Sequence, residues 1–137
     1  MRLLRAASAA RRHARAKHSG FRVGAALLTA TGEIVTGANV ESDSYGLTCC
    51  AERVALFKAL TEGKSRVIAV AIVARIAGGP MPCGACRQLL VEYASKAVLW
   101  VADSRQLKAA RKFLPGALLP QPFVYKPSIT QTGKEHN

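Results

Sequence analysis

The sequence predicts an α/β fold, in which helices lie on a mixed β-sheet of about five strands. Two apolar runs of strand length, residues 23–30 and 67–74, predict buried strands. Stretches with apolar residues at helical spacing separate the later strands, and this alternation is typical of a layered α/β fold. Half of the 137 residues are apolar and a fifth are charged, which indicates a globular chain rather than a disordered one.

The first elements are a helix and a β-hairpin. Residues 1–17 carry apolar side chains at helical spacing, and we expect a helix that ends at residues 19–20. This stretch is rich in Arg and Ala and superficially resembles an organelle transit peptide, but the core elements that follow directly favour the helix. A strand over 23–30, a turn at Thr31-Gly32 and a returning strand over 33–37 predict the hairpin.

The rest of the chain alternates polar loops with helices and strands. We expect a polar loop over 39–47, a helix over 50–61 ended by Gly63, a strand over 67–74, a Gly/Pro loop over 77–82, a helix over 84–93, a strand over 97–101 and a short helix over 107–114 stopped by Pro115-Gly116. No linker or internal repeat interrupts residues 1–125. We therefore expect them to form one domain, followed by a polar tail over 126–137.

The chain is strongly basic, with 20 Lys and Arg against 8 Asp and Glu and a formal net charge of +12. Such a surface attracts nucleic acid or anionic lipid. However, aromatic residues are few and do not alternate with the basic ones as they do in a platform for stacking bases. No apolar run is long enough to cross a bilayer. We therefore expect neither nucleic acid nor a membrane as a partner.

Two short motifs carry the chemistry: CAE at 50–52 and PCGAC at 82–86. Each opens a predicted helix, and the two helix N-termini can converge at one edge of the sheet, where their partial positive charge favours thiolates. Cys50, Cys83 and Cys86 can then hold one Zn²⁺ and leave a coordination position open, as catalytic zinc sites do. Glu52 lies beside that position, where it can act on a water molecule as a base and afterwards as an acid.

Two further residues belong to this interpretation. Three thiolates give zinc an excess of negative charge, which Arg53 could offset by donating a hydrogen bond to a ligand sulfur. Cys49 could close the site as a fourth ligand and make it structural, but adjacent side chains point in different directions, so we expect a small buried residue. The first residues do not form the core of a secretory signal, which favours metal-bound thiolates in a reducing cytoplasm over disulfides.

Together, these motifs resemble those of the zinc-dependent cytidine deaminases, in the small branch that acts on free nucleosides. CAER at 50–53 and PCGACRQ at 82–88 are highly specific to that family, whereas SGFRVGAA at 19–26, GANVE at 37–41 and LPG at 114–116 are weaker alone. The resemblance implies a three-layer α-β-α cytidine-deaminase-like fold and a homotetramer with shared active sites. It also implies a Zn²⁺ cofactor on the three cysteines, with Glu52 as the proton shuttle.

The same resemblance implies how a nucleoside would bind. Asn39 and Glu41 would hydrogen-bond the ribose hydroxyls. Phe21 would pack against the pyrimidine base, and the backbone at Ala51 would contact it. Tyr45 matches a tyrosine that, in the family, reaches the site from a neighbouring subunit.

The predicted activity is hydrolytic deamination of cytidine and 2′-deoxycytidine to uridine and 2′-deoxyuridine, with release of ammonia, in pyrimidine salvage in the cytoplasm. One alternative is a deaminase of a modified cytosine nucleoside such as blasticidin S, which would share the zinc chemistry. Leu118 bears on this choice, because it stands where the family usually places an aromatic residue over the pocket. The alternative of another class is a basic nucleic-acid-binding protein with a structural zinc site.

Overall fold

The computed structural model of this chain describes residues 1–126, which contain five β-strands, four α-helices and three 3₁₀ helices. The strands are β1 (Val23–Thr29), β2 (Ile34–Ala38), β3 (Val67–Ala74), β4 (Val98–Asp103) and β5 (Arg111–Phe113). The α-helices are α1 (Arg2–Ala10), α2 (Ala51–Thr61), α3 (Gly84–Tyr93) and α4 (Pro115–Leu118). The 3₁₀ helices are Arg11–His13, Tyr45–Leu47 and Leu107–Ala109.

The five strands form one sheet in the order β2-β1-β3-β4-β5. Strand β1 runs antiparallel to both β2 and β3, and β4 runs antiparallel to β5. Strands β3 and β4 are parallel, with Ile72 opposite Val101, and α3 makes the crossover between them. The predicted mixed sheet is therefore confirmed. Helix α3 begins after the carboxyl end of β3, and this edge of the sheet carries the site described below.

Helices cover both faces of the sheet, because side chains that alternate along each strand are apolar on both sides. On one face, Val70 and Ile72 of β3 join a buried cluster with residues of α2 and α3. On the other face, Ala71 and Val73 join a smaller cluster with residues of α1. The result is the three-layer α-β-α arrangement that the sequence predicts.

Two glycines allow the helices to approach the sheet closely. A Cβ built on Gly24 would lie 1.9 Å from Ala7 O, and one built on Gly37 would lie 2.7 Å from Ala51 O. Real Cβ atoms do not make such short contacts with backbone, so any side chain at these positions would push α1 or α2 outward. Gly37 therefore sets how deeply the first turn of α2, with Cys50 and Glu52, lies against the sheet.

The first predicted helix is wrong at its C-terminal end. Helix α1 ends at Ala10, the 3₁₀ helix follows to His13, and Ala14 has extended backbone with ψ 139°. Arg15 N then donates to Asn39 O (2.8 Å), and Glu41 N donates to Arg15 O (2.9 Å). These long-range backbone hydrogen bonds hold the segment extended, although its composition favours a helix.

The predicted helix over 107–114 is also wrong. Only Leu107–Ala109 is helical, as a 3₁₀ helix, and residues Arg111–Phe113 form β5, which pairs with β4. Pro115 does not stop a helix but begins α4, where its fixed φ and missing N–H suit the first helical position. The predicted polar tail lies outside the described residues from position 127 onward. None of the helices in residues 1–126 has the length and apolarity that a membrane span requires.

Candidate active site

Three cysteine side chains meet where α2 and α3 begin. Cys50 is the N-cap residue of α2, Cys83 is the N-cap residue of α3, and Cys86 lies in the first turn of α3. The Sγ atoms of Cys50 and Cys83 are 3.8 Å apart, and those of Cys83 and Cys86 are 3.5 Å apart. All three Sγ atoms lie within 4.8 Å of one another, so they surround one point.

This donor set fits a zinc ion. Zn–S bonds of about 2.3 Å in tetrahedral geometry place two sulfurs about 3.8 Å apart, which is close to the separations found here. Within residues 1–126, this is the single group of His, Cys, Asp or Glu side chains close enough to share an ion, and Cys49 is not part of it. Cys49 is partly buried beside the group. The three thiols thus form an incomplete shell, to which no fourth side chain of this kind contributes in the described chain.

The thiols are unequal in acidity because they share hydrogen bonds. The hydrogen bond with Cys86, followed by those with Arg53 and Cys83, lowers the pKa of Cys50 to about 5. The same bond with Cys50, together with burial, raises the pKa of Cys86 well above its ordinary value. Cys50 therefore holds the thiolate and Cys86 the proton. Because zinc binds thiolates, metal binding releases that proton.

Arg53 lies in the first turn of α2 and faces the thiolate. Its Nη2 donates to Cys50 Sγ (3.5 Å) and to Thr48 O (3.3 Å). The hydrogen bond to Cys50 raises the pKa of Arg53 further, so the guanidinium stays charged. Its Nε is buried and has no hydrogen-bond partner among the described atoms. A fixed positive charge therefore stands beside the sulfur cluster.

Glu52 is the buried carboxyl group of the site, with 5% of its surface exposed. Burial raises the pKa of Glu52, and the negative charge of Cys50 raises it in addition. The carboxyl group therefore keeps its proton to a higher pH than a solvent-exposed glutamate does.

A cavity of about 210 Å³ connects these groups. Its walls come from the cysteine motifs, from β1 and β3, and from the loops that precede α2 and α3. The lining residues are Phe21, Val23, Asn39, Thr48, Cys49, Cys50, Ala51, Glu52, Ile72, Pro80, Met81 and Cys83. Two metal-binding thiols and a buried carboxyl group therefore face one concave space, which is the arrangement of an active site.

Comparison with known families decides the identity of this site. The family model described as the cytidine and deoxycytidylate deaminase zinc-binding region matches residues 1–102. The chain belongs to this family. The predicted resemblance is thereby confirmed, and Zn²⁺ is the ion that Cys50, Cys83 and Cys86 are positioned to bind.

Individual members of the deaminase family are similar over most of the chain. A cytidine deaminase from Halalkalibacterium halodurans is 52% identical over 90 residues, which are 66% of this chain and 68% of that protein. The crystal structure of a cytidine deaminase from Burkholderia pseudomallei has a TM-score of 0.84 at 42% identity and covers 89% of this chain and 97% of its own. A blasticidin-S deaminase from Bacillus cereus is less similar, 36% identical over 80 residues, which are 53% of this chain and 57% of that protein.

Three residues that the deaminase resemblance assigns to the substrate line the cavity, namely Phe21, Asn39 and Ala51. The Asn39 amide also holds the backbone of β1 and of the segment that leads into it. Its Oδ1 accepts from Val23 N (2.9 Å), and its Nδ2 donates to Phe21 O (2.9 Å). Asn39 thereby fixes the segment that carries the Phe21 ring.

Glu41 and Tyr45 are not among the residues that line this cavity. Glu41 accepts hydrogen bonds from His18 N (2.8 Å), from Ser19 N (3.0 Å) and from the Ser19 hydroxyl. These hydrogen bonds hold the pKa of Glu41 below its ordinary value, and the bond from the Ser19 hydroxyl has the largest effect. Tyr45 is 76% exposed, and its ring meets the edge of His18 at a centroid distance of 5.3 Å.

Sequence reasoning missed Pro80 and Met81, which form part of the cavity wall. The sequence did contain a signal for these two residues: the predicted Gly/Pro loop leads directly into Cys83, and a loop that delivers a ligand also borders the site. Sequence reasoning also gave no role to Arg87, although this residue directly follows the ligand Cys86.

Proposed function

We propose that this protein catalyses the hydrolytic deamination of cytidine and 2′-deoxycytidine to uridine and 2′-deoxyuridine, with release of ammonia. The observation that carries the proposal is the meeting of three thiols within 4.8 Å of one another, two of which, Cys50 and Cys83, line one cavity together with the buried Glu52. A structural zinc site would need a fourth protein ligand, and the described residues offer no further Cys, His or carboxylate to this group. This disfavours the nucleic-acid-binding alternative.

Zinc on these thiolates would supply a Lewis acid that makes a water molecule a better nucleophile. Glu52 takes a proton from the attacking water and delivers it to the ring nitrogen next to the amidine carbon. It then carries the second proton to the exocyclic amine, which leaves as ammonia while the carbonyl of uridine forms. The raised pKa of Glu52 supports this double role, since burial favours the protonated form that has to deliver the proton.

We further propose that Phe21 packs against the base and that the backbone at Ala51 contacts it. Asn39 and Glu41 would form hydrogen bonds with the ribose hydroxyls. The positions of Phe21, Asn39 and Ala51 on the cavity wall support this. The lowered pKa of Glu41 supports a charged acceptor there. Arg53 would offset the excess negative charge of three thiolates, for which its hydrogen bond to Cys50 gives support.

The proposal includes a homotetramer in which Tyr45 reaches the site of a neighbouring subunit. Its support is the exposure of Tyr45, which lies outside the cavity of its own chain. We also propose that residues 1–125 act as one domain, because both apolar clusters share one sheet. Free thiols fit a reducing cytoplasm, where pyrimidine salvage would take place.

Ammonia release from cytidine, with the loss of cytosine absorbance as a second readout, tests the proposal. Wild type is expected to turn over, and Glu52→Gln is expected to lose about 10²–10⁴-fold in kcat while it retains zinc. Equal turnover by Glu52→Gln at equal zinc content would contradict the assignment of Glu52. Cytidine, 2′-deoxycytidine, cytosine and blasticidin S are compared in the same assay. Faster turnover of blasticidin S than of cytidine would favour the modified-nucleoside alternative. Leu118 is relevant to that alternative because it stands where the family usually has an aromatic residue.

A further inference from the structure

Arg87 follows the ligand Cys86 in α3 and connects two separate segments of backbone. Its Nε donates to Pro82 O (2.8 Å), and its Nη1 donates to Leu118 O (3.2 Å). Pro82 is the residue directly before the ligand Cys83, and Leu118 is the last residue of α4. One guanidinium group therefore joins the loop that delivers a metal ligand to the end of a helix 31 residues further along the chain.

Cys83 depends on such a contact more than Cys86 does. Cys86 is 1% exposed within α3, whereas Cys83 is exposed. The loop before it contains Pro80 and Pro82, which have no N–H to donate. Within residues 1–126, the backbone hydrogen bonds of positions 80–83 are limited to Cys83 O, which accepts from Arg87 N (2.9 Å). Arg87 thus holds this loop twice, through its amide and through its side chain.

The contacts of Arg87 differ in kind from those of Arg53. Arg53 donates to a ligand sulfur, and its positive charge helps to lower the pKa of Cys50. Among the described residues, the side-chain hydrogen bonds of Arg87 go to two carbonyl oxygens and to no sulfur. Arg87 is therefore expected to act through the position of the loop and not through its charge.

We propose that Arg87 is a positioning residue of the metal site. By tying Pro82 O to Leu118 O, it holds Cys83 Sγ at the separation from Cys50 and Cys86 that lets the three share one ion. A lysine cannot replace it, because an ammonium group lacks the planar fork that reaches two carbonyls in different directions. The proposal rests on the three-thiol zinc site and not on the identity of the substrate.

Zinc affinity tests the proposal without reference to activity. The full-length protein, as wild type, Arg87→Gln, Arg87→Lys and Gln88→Ala, competes for zinc with a chromophoric chelator. Gln88 is the matched control, since it is the next residue of α3 and its side chain binds the backbone of Phe123 twice, at 2.9 and 3.2 Å. It therefore ties the same helix to the C-terminal segment, and its side-chain hydrogen bonds within residues 1–126 go to Glu92 and Phe123 rather than to the ligand loop.

Both Arg87 variants are expected to bind zinc about 10–100-fold more weakly than wild type, and Gln88→Ala within about threefold of it. Cobalt(II) substituted for zinc is expected to show altered ligand-field bands in the Arg87 variants alone, because its visible spectrum reports the geometry of the sulfurs. Circular dichroism identifies a variant that does not fold. If Arg87→Gln is unfolded, Arg87→Lys decides the question.

Wild-type affinity in either Arg87 variant would overturn the proposal, and recovery by Arg87→Lys alone would show that charge is what matters. An equal loss in Gln88→Ala would assign the effect to the C-terminal segment as a whole and would also overturn it. Failure of the wild type to bind zinc would instead refute the proposed metal site, so the two failures are distinguishable.

Discussion

Replacement of Gly37 by Ala should damage the active site through the position of α2. A Cβ at this position would lie 2.5 Å from Ala55 N and 2.7 Å from Ala51 O. To restore an ordinary contact of 3.4 Å, α2 would have to move outward by roughly 0.7–0.9 Å. Overpacking of this kind costs about 1–3 kcal/mol of stability. Because the moved turn carries Cys50 and Glu52, and a misplacement of about 1 Å can cost about 10²-fold in rate, activity should fall further than stability does.

The assay combines kcat/KM for cytidine, zinc content and the midpoint of urea unfolding for the same preparations. Gly116→Ala is the matched control, because a Cβ at this position in α4 would meet nothing within 4 Å. We expect Gly37→Ala to lose about 10²-fold in kcat/KM at a stability loss of about 1–3 kcal/mol, and Gly116→Ala to behave as wild type. A Gly37→Ala protein with wild-type kcat/KM would refute the reasoning, since it would show that α2 does not fix the catalytic geometry.

Three further predictions follow from single contacts. Arg53→Gln should weaken zinc binding by about 10–100-fold and shift the onset of zinc binding to higher pH, because the hydrogen bond and positive charge of Arg53 no longer lower the pKa of Cys50. Chelator competition across pH measures both effects, and an unchanged pH profile would contradict this. Removal of zinc by a chelator should abolish ammonia release, and added Zn²⁺ should restore it, whereas activity that survives complete removal would refute the zinc mechanism. Arg105 lowers the pKa of Asp103, so the stabilisation by this pair is present above the ordinary pKa of aspartate and is lost as pH falls through the folded-state pKa. Asp103→Asn should therefore unfold at lower urea than wild type at pH 7, with the difference disappearing in acid; a constant difference would contradict the pairing.

Strands β1 to β4 and the two central helices could be predicted because their signals are local. The apolar run of β3 matches Val67–Ala74, and α3 matches Gly84–Tyr93, where the helical spacing begins directly after a ligand cysteine. The N-caps of α2 and α3 could be predicted as well, since Cys50 and Cys83 open both periodic segments. The metal group followed, because two helix starts at one edge of the sheet leave little freedom for the sulfurs.

The two segments whose predicted helices were wrong share one property: residues distant in sequence determine their conformation. Residues 14–17 have the composition of a helix, but Arg15 exchanges backbone hydrogen bonds with Asn39 and Glu41. Residues 111–113 form a strand because β4 offers an unpaired edge, where Lys112 lies opposite Trp100 and within 5.9 Å of its ring. Neither partner can be found from local spacing, and long-range pairing overrides propensity in both cases.

The site could be predicted as a set of motifs but not as a set of contacts between motifs. Glu41 holds Ser19, and Asn39 holds Phe21, so the segment at 37–41 braces the segment at 19–26. This coupling changes what a substitution at Asn39 would measure. Loss of a bond to ribose raises KM for cytidine but leaves free cytosine unaffected, whereas loss of the brace displaces the Phe21 ring and weakens both. Because the Asn39 amide already uses one donor and one acceptor in hydrogen bonds with the backbone, Asn39→Ala should lower the activity on both substrates. An effect confined to the nucleoside would show that the ring of Phe21 holds its position without this brace.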